Sequence, residues 1–463
     1  MGLIISISLF TTVWKGGIIS LQMGNWEAPF GITFVADTFA ATLVLITHIV
    51  ALAVSIFSSI NVISSRVKFG YFPILHLMIM GICGAFLTGD IFNLYVFFEV
   101  IIISSFVLLT IGGRKMQIEG AVKYFTLNML SSIIFLTAIA LLYGITGTLN
   151  MAKLAIMLPE AQNQHLIEII GLIFLVAFGV KSGVFPLYFW LPASYHTPPS
   201  AVSALFGGLL TKVGVYAMIR VFTLIFPEYE MINQIILVIA VLTIFTGAIG
   251  SLVQNNIVKV FSYLIICHIG FMVAGLGMHT EIAITGAIFY MIHDIIVKSN
   301  LFMIGGVTYR IFGSNKISNI GGLMKNYPKI ALLMAIPLFS LVGIPPLSGF
   351  WPKISLFQAS FISENYWVLG SLILGSFLTL VIIAKLWLKI VSSKEPEREV
   401  RVNHVYFEQF MKMEKLTMIV PIALLGIVSL FIGLNAESIY VLSERISHEL
   451  MNSSGYIESV LKK

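Results

Sequence analysis

The 463 residues are 58% hydrophobic and only 10% charged, where a soluble domain carries roughly 25% charged residues; composition alone places the chain in a membrane. The net charge of +6 lies in Lys and Arg that interrupt the apolar runs, so the basic balance needs no nucleic-acid partner. Cys83 and Cys267 sit inside apolar runs without a CxxC, which excludes a disulfide framework and a thiolate metal cluster and leaves two small buried hydrophobes.

The first segment, Gly2 to Trp14, is apolar but too short to span comfortably. It lacks a basic n-region and a small-residue cleavage site, so it is a poor signal peptide and reads as the end of a helix whose beginning is missing. Apolar windows of about 20 residues then recur, each long enough to cross roughly 30 Å of hydrocarbon. They predict spans near 34–60, 70–89, 92–111, 121–144, 166–188, 200–225, 232–254, 258–278, 283–309, 329–361, 366–391 and 416–435. With the first segment this makes about thirteen crossings. Lipid leaves unpaired backbone groups unsatisfied, so an open sheet is excluded and the fold class is an all-α integral membrane bundle. The bundle is expected over residues 1–436, with an extracytoplasmic tail over 437–463.

Alternate loops differ in charge. Arg66, Lys68, Arg114, Lys115, Lys259, Arg310, Lys316, Lys325, Lys394, Arg398, Arg401, Lys412 and Lys415 all fall on one side. The other side holds Lys15 and Lys153 but also Glu27, Glu160, Glu228, Glu230, Glu281 and Glu364. The positive-inside rule makes the first side cytoplasmic, with the N-terminus inside and the C-terminus outside. The mixed-charge stretch SSKEPEREVRVNH reads as a solvated cytoplasmic loop.

Six titratable side chains lie deep in these spans: Glu99, Lys181, Lys212, His293, Lys298 and Lys353. A charge near the bilayer centre costs roughly 2.5–3.5 kcal/mol on insertion scales, and the set together on the order of 15 kcal/mol. A scaffold has little use for such a penalty; a protein that moves ions through its interior does. Two spans are also interrupted. Pro186 removes the donor for the carbonyl of Ser182, with Gly183 between them, and Pro345 and Pro346 do the same to Leu341 and Val342. Broken helices in corresponding halves mark transport sites, because freed carbonyls bind cations or water at the midplane.

Burial disfavours a charged lysine and a nearby carboxylate favours it, so moving the partner moves the proton. Glu99 and Lys181 suit such a couple from different helices. Asp294 and Lys298, at i and i+4, can pair directly, while His293 lies about 140° around the helix from Lys298 and faces other neighbours. Asp90 reads first as a helix cap. Lys123, Lys259 and Lys385 lie near predicted span ends and can snorkel to the interface. His48, His76 and His268 are single imidazoles on apolar faces, of which His268 is the most interesting relay candidate. GGLLTK (207–212) has the wrong order for a phosphate loop, and HDIIVK is not a zinc motif. No nucleotide, flavin or metal site is encoded, so no cofactor is expected.

The runs GAFLTGDIFNLYVFFEV (84–100), YGITGTLNMAKLA (143–155), VKSGVFPLYFWLPASY (180–195), ALFGGLLTKVGVYA (204–217), GAIFYMIHDIIVK (286–298) and GIPPLSGFWPK (343–353) resemble the antiporter-like membrane subunits. These are shared by Mrp-type cation/proton antiporters and the proton-pumping arm of respiratory complex I. GNWEAPFGI (24–32) and GTLNMA (147–152) look most like the D-type branch of the Mrp group. The resemblance covers essentially the whole chain. It implies a fourteen-helix pattern with two inverted five-helix repeats, each holding one broken helix, of which this chain lacks roughly the first helix.

By the same resemblance the family's key acid maps onto Glu99 and its broken-helix lysines onto Lys181 and Lys353. Its further lysine maps onto Lys212, and its histidine and lysine pair onto His293 and Lys298. Asp294 stands where the family often has a second histidine, and Ser299-Asn300 replaces two small apolar residues. The resemblance implies a transporter subunit rather than an enzyme. It would exchange cytoplasmic Na+, with Li+ and K+ left open, for external H+ in the cell membrane, alongside other Mrp subunits. The alternative is a proton-pumping subunit of a membrane-bound NADH dehydrogenase or hydrogenase.

Overall fold

The computed structural model describes residues 1–227, 229–394 and 405–462. Glu228, Arg398, Arg401 and most of the predicted SSKEPEREVRVNH loop lie outside the described residues. Ten helices among the described residues are long and apolar enough to cross a membrane, and three shorter apolar ones accompany them. In chain order the helices of eight residues or more are α1 (Gly2–Gly16), α2 (Thr38–Asn61), α3 (Tyr71–Leu87), α4 (Ile91–Thr110), α5 (Lys115–Thr146) and α6 (Gln164–Ser182). There follow α7 (Ser200–Leu224), α8 (Glu230–Val253), α9 (Ile257–Met278) and α10 (Glu281–Phe312). The chain ends with α11 (Pro328–Val342), α12 (Phe350–Ile362), α13 (Tyr366–Ser392), α14 (Lys412–Leu434), α15 (Ala436–Met451) and α16 (Ser454–Leu461).

Polar residues start these helices where backbone N–H groups lack partners. Asp37 accepts from the Ala40 amide at 2.8 Å, Asp90 from Asn93 at 2.8 Å, and Asn256 from Val258 and Lys259. The predicted span 34–60 begins later than read. Residues Thr33–Ala36 pair antiparallel with Ile19–Gln22 as a small hairpin, and Asp37 then caps α2. This hairpin stands at a helix end, and its edges meet protein: Ser20 and Gln22 donate to the carbonyls of Ser459 and Val460. Helices α5 and α10 are longer than predicted, 32 residues each: the polar first turn of α5 continues the helix outside the apolar window, and α10 runs slightly beyond the window at both ends.

All of the apolar stretch of α7 and 94% of that of α10 is buried, against 39% for α5 and for α13. The sequence therefore puts Lys212, His293, Asp294 and Lys298 on the two most enclosed helices. Helix α10 packs against α2, α7, α9, α11, α12, α14 and α15, and so forms the hub. Loop contacts sort the helix ends into two groups. Phe34 with Thr88, Asp90 with Asn150, and Glu281 with His448 meet at one end. Asn256 meets Lys316 at the other, where a cavity gathers Arg66, Arg114, Lys115 and Arg310. The C-terminal segment folds back at the first end: Thr38 donates to Glu449, and Arg445 donates to the Trp14 carbonyl at 2.7 Å.

Candidate functional site

The two helix breaks follow the same path. Helix α6 ends at Gly183 (φ 76°) and α11 at Gly343 (φ 84°), a left-handed turn that glycine adopts without strain. Val184 donates to Gly179 as Ile344 does to Phe339, and Leu187 donates to Val184 as Leu347 does to Ile344. Pro186 and Pro346 hold matching places, as do Pro192 and Pro352. Since α6 and α11 run in opposite directions through the bundle, the match is that of an inverted repeat.

The lysines reach these breaks from opposite sides. Lys353, on α12, sends its Nζ back to the carbonyls of Leu341 (2.9 Å) and Val342 (2.8 Å). These are the two carbonyls that the proline pair frees. Lys181 instead precedes its break: Nζ donates to Ser132 Oγ at 3.2 Å and lies 4.7 Å from the centre of the Phe98 ring. The Val180 carbonyl beside it accepts from the Trp190 indole at 3.0 Å, and Thr243 Oγ1 accepts from the Phe185 amide at 2.9 Å.

Glu99 and Lys181 form no direct ion pair among the described residues. Glu99 is half-buried within Coulombic reach of Lys181, with Oε1 enclosed and lacking a hydrogen-bond partner among the described residues. The aromatic face of Phe98 and the hydroxyl of Ser132 occupy the near positions around the ammonium, which is why the expected couple does not close.

Asp294 is the centre of the second constellation. Lys212 Nζ lies 2.6 Å from its Oδ2, His268 Nδ1 3.1 Å from its Oδ1, and Lys298 Nζ 3.9 Å from the same Oδ1. All four side chains are fully buried. The Asp294–Lys298 pairing anticipated from spacing is present but loose, too long for a hydrogen bond. Lys212 is the close partner. The chain makes a wide turn over Phe206–Leu210, and Lys212 Nζ donates to the Gly207 carbonyl at 3.0 Å. A side chain on Gly208 would collide with Ser299 Oγ, so glycine there lets α7 and α10 approach.

His293 turns away from this cluster, as its angular position requires. Its Nδ1 is 2.7 Å from Ser348 Oγ, in the linker of the second break. Lys298 Nζ, Tyr290 Oη, His293 Nε2, His268 Nε2 and both amide atoms of Asn300 are buried without a hydrogen-bond partner among the described residues. Buried polar atoms are usually hydrogen-bonded, so this concentration sets the region around Asp294 apart from an ordinary apolar core.

A cavity of 660 Å³ enters from the end bearing Arg66, Arg114 and Lys115 and reaches Ser203 and Phe302. Phe302 is about one helical turn from Lys298. At the rim, burial and the neighbouring Arg114 push the Arg66 guanidinium below its ordinary value.

The secondary candidates divide. His268 joins the Asp294 cluster. Asp90 caps α4, and His76 is exposed. Lys123 pairs with Glu119 at 2.7 Å on the surface, and Lys385 donates to the Leu252 carbonyl at 3.2 Å. One buried pair escaped sequence reasoning: Arg220 on α7 donates to Asp37, with Tyr216 Oη 3.3 Å from Arg220 Nε and the Tyr456 ring 5.2 Å away. Its signal was available, since Lys212, Tyr216 and Arg220 recur every fourth residue and share one helix face.

The membrane domain described as "NADH:quinone oxidoreductase/Mrp antiporter, TM" matches residues 88–379, more than half of the chain. The chain belongs to this family. Over its whole length it is 43% identical to a protein of Alkalihalophilus pseudofirmus named as the D subunit of a Na(+)/H(+) antiporter, of which it covers 92%. A chain of the Mrp complex from Dietzia sp. DQ12-45-1b superposes with a TM-score of 0.91 at 27% identity, over 99% of this chain and 92% of that one. A chain of the membrane-bound sulfane sulfur reductase, an archaeal respiratory membrane complex, reaches the same TM-score, 0.91, at 26% identity and the same coverage.

Proposed function

We propose that this chain is the D-type subunit of a hetero-oligomeric Mrp-type antiporter that exchanges cytoplasmic Na+ for external H+. The observation that carries the reading is the buried Asp294 shared by Lys212, His268 and Lys298, with Lys181 and Lys353 at the two breaks. One carboxylate neutralises one ammonium. Two lysines on it leave a basic group in excess within a water-poor interior, and that excess proton is the one free to move. Glu99 and Lys181 serve the first half of the route, and Lys298, His293 and Lys353 the second. Lys212 joins them, and internal water carries the proton over gaps longer than a hydrogen bond.

The chain works in the cell membrane, with residues 1–436 as the transport domain and 437–463 as an extracytoplasmic segment. Its basic loop end, where the cavity opens, faces the cytoplasm, as the positive-inside rule requires. Other Mrp subunits supply the rest of the machinery, and no cofactor takes part. The redox-complex alternative shares the fold, as the sulfane sulfur reductase chain illustrates, but the 43% identity is to a protein named as part of an antiporter.

Expression in an antiporter-deficient cell tests this. The chain with its partner subunits should restore Na+ tolerance, and the chain alone should not. Rescue by the single gene would contradict the subunit reading, and failure of the whole assembly to move Na+ would contradict the antiporter reading.

A further inference from the structure

We propose that Ser348, Ser429 and Ser340 form a proton wire that starts at His293 and ends at the second helix break. The wire presupposes that protons pass through this chain, as proposed above. It adds three hydroxyls that composition and motif gave no reason to select.

The geometry is continuous. His293 Nδ1 lies 2.7 Å from Ser348 Oγ, Ser348 Oγ 3.1 Å from Ser429 Oγ, and Ser429 Oγ 3.3 Å from Ser340 Oγ. The four residues come from α10, the linker after α11, α14 and α11 itself, and all four are fully buried. Ser340 immediately precedes Leu341 and Val342, whose carbonyls hold the Lys353 ammonium. The row therefore joins the histidine that faces away from Lys298 to the break where Lys353 is docked.

These hydroxyls behave unlike their neighbours. Thr42, Thr47 and Thr308 each donate to the carbonyl one turn earlier in their own helix, the usual resort of a hydroxyl in an apolar environment. Ser340, Ser348 and Ser429 are instead bonded side chain to side chain, a minority class in folded proteins. Bonds of this kind in succession make an ordered row of groups that each accept and donate a proton. The other His293 nitrogen, Nε2, is buried without a hydrogen-bond partner among the described residues, and a side chain on Gly349 would come within 3.0 Å of it.

Transfer conserves every proton. Starting from the imidazolium, the Nδ1–H bond of His293 breaks as an O–H bond forms on Ser348, which leaves the neutral ring with its proton on Nε2. The original Ser348 proton passes to Ser429, that of Ser429 to Ser340, and that of Ser340 to a water molecule at the break. Rotation of the three hydroxyls then restores the starting orientation. No electron transfer is involved, and the reverse sequence loads His293.

The test uses the assembled complex in proteoliposomes, reading Na+-driven proton flux per assembled complex. Ser429→Ala interrupts the row and should lower the flux about a hundredfold, the lower range for a lost proton-transfer group. Ser429→Thr keeps a hydroxyl and should retain most of it. A merely structural role predicts fewer assembled complexes but normal flux in each, and that result would overturn the wire. Should Ser429→Ala fail to assemble, Ser340→Ala is judged by the same criterion. Lys353→Ala and Lys298→Ala run alongside. If they abolish flux while the serine variants match wild type, only the wire is wrong; if they too match wild type, proton transfer through this chain is wrong and the wire falls with it.

Discussion

Lys212 Nζ sits 2.6 Å from Asp294 Oδ2, joining α7 to α10 at the two most enclosed helices of the bundle. Because His268 and Lys298 address the other oxygen of the same carboxylate, a change in any one contact alters the charge balance felt by the rest. Proton affinity is therefore a property of the whole cluster rather than of any one lysine.

Lys353→Ala removes the donor to the Leu341 and Val342 carbonyls. Exchange should be lost, and hydrogen exchange at the amides of Gly343, Ile344 and Leu347 should quicken as the break loosens. Full activity in this variant would leave the second half of the molecule without a role in transport.

Glu99→Gln and Lys181→Ala should each abolish Na+-dependent proton flux with the complex still assembled, and the double variant should be no worse than either. Since Phe98 and Ser132 surround the Lys181 ammonium, Glu99→Gln leaves its hydrogen bond intact, so the effect is one of charge. Near-normal flux in vesicles from either single variant would remove the pair from the mechanism.

The Arg220–Asp37 pair should prove structural. Asp37→Asn leaves a buried guanidinium without its counter-charge, a loss of roughly 3–5 kcal/mol. It should lower the thermal midpoint of the complex and open residues 436–462 to protease, since Tyr456 packs over Arg220 and Glu449 holds Thr38 beside Asp37. An unchanged midpoint would contradict this.

Burial, with Lys259 nearby, lowers His196, at the basic end of the bundle, to about 4. A histidine free in the unfolded chain takes up a proton near 6.5. The unfolded state thus binds more protons across that interval, and stability falls as pH drops from about 6.5 towards 4. His196→Gln should flatten this part of the stability profile, measured by thermal unfolding of the complex at several pH values. A profile as steep as wild type would show that His196 does not contribute.

The bundle was legible in the sequence because lipid enforces it: apolar windows of span length can only be helices. Prolines 186, 345 and 346 likewise announced the breaks, and the carbonyls they free at Leu341 and Val342 are those that Lys353 binds. Helix ends were less legible, because polar first turns such as that of α5 continue a helix without an apolar signal, and the hairpin at Ile19–Ala36 has too few residues to show a period. Within the site, single-helix geometry was readable and contacts between helices were not. The spacing of Asp294 and Lys298 gave their i,i+4 pair, and the angle to His293 gave its separate environment. Nothing local showed that Lys212 and His268, from α7 and α9, converge on Asp294, or that Ser132 and Phe98 stand beside Lys181.

The most direct measurement is the initial rate of Na+-driven proton flux in proteoliposomes containing the assembled complex with Asp294→Asn, a change that keeps shape and removes charge. With Lys212, His268 and Lys298 deprived of their shared carboxylate, the rate per complex should fall by about a hundredfold, the lower range for loss of an acid–base group, with Asp294→Glu retaining part of it. A wild-type rate in an assembled Asp294→Asn complex would contradict the claim that this carboxylate organises proton transfer.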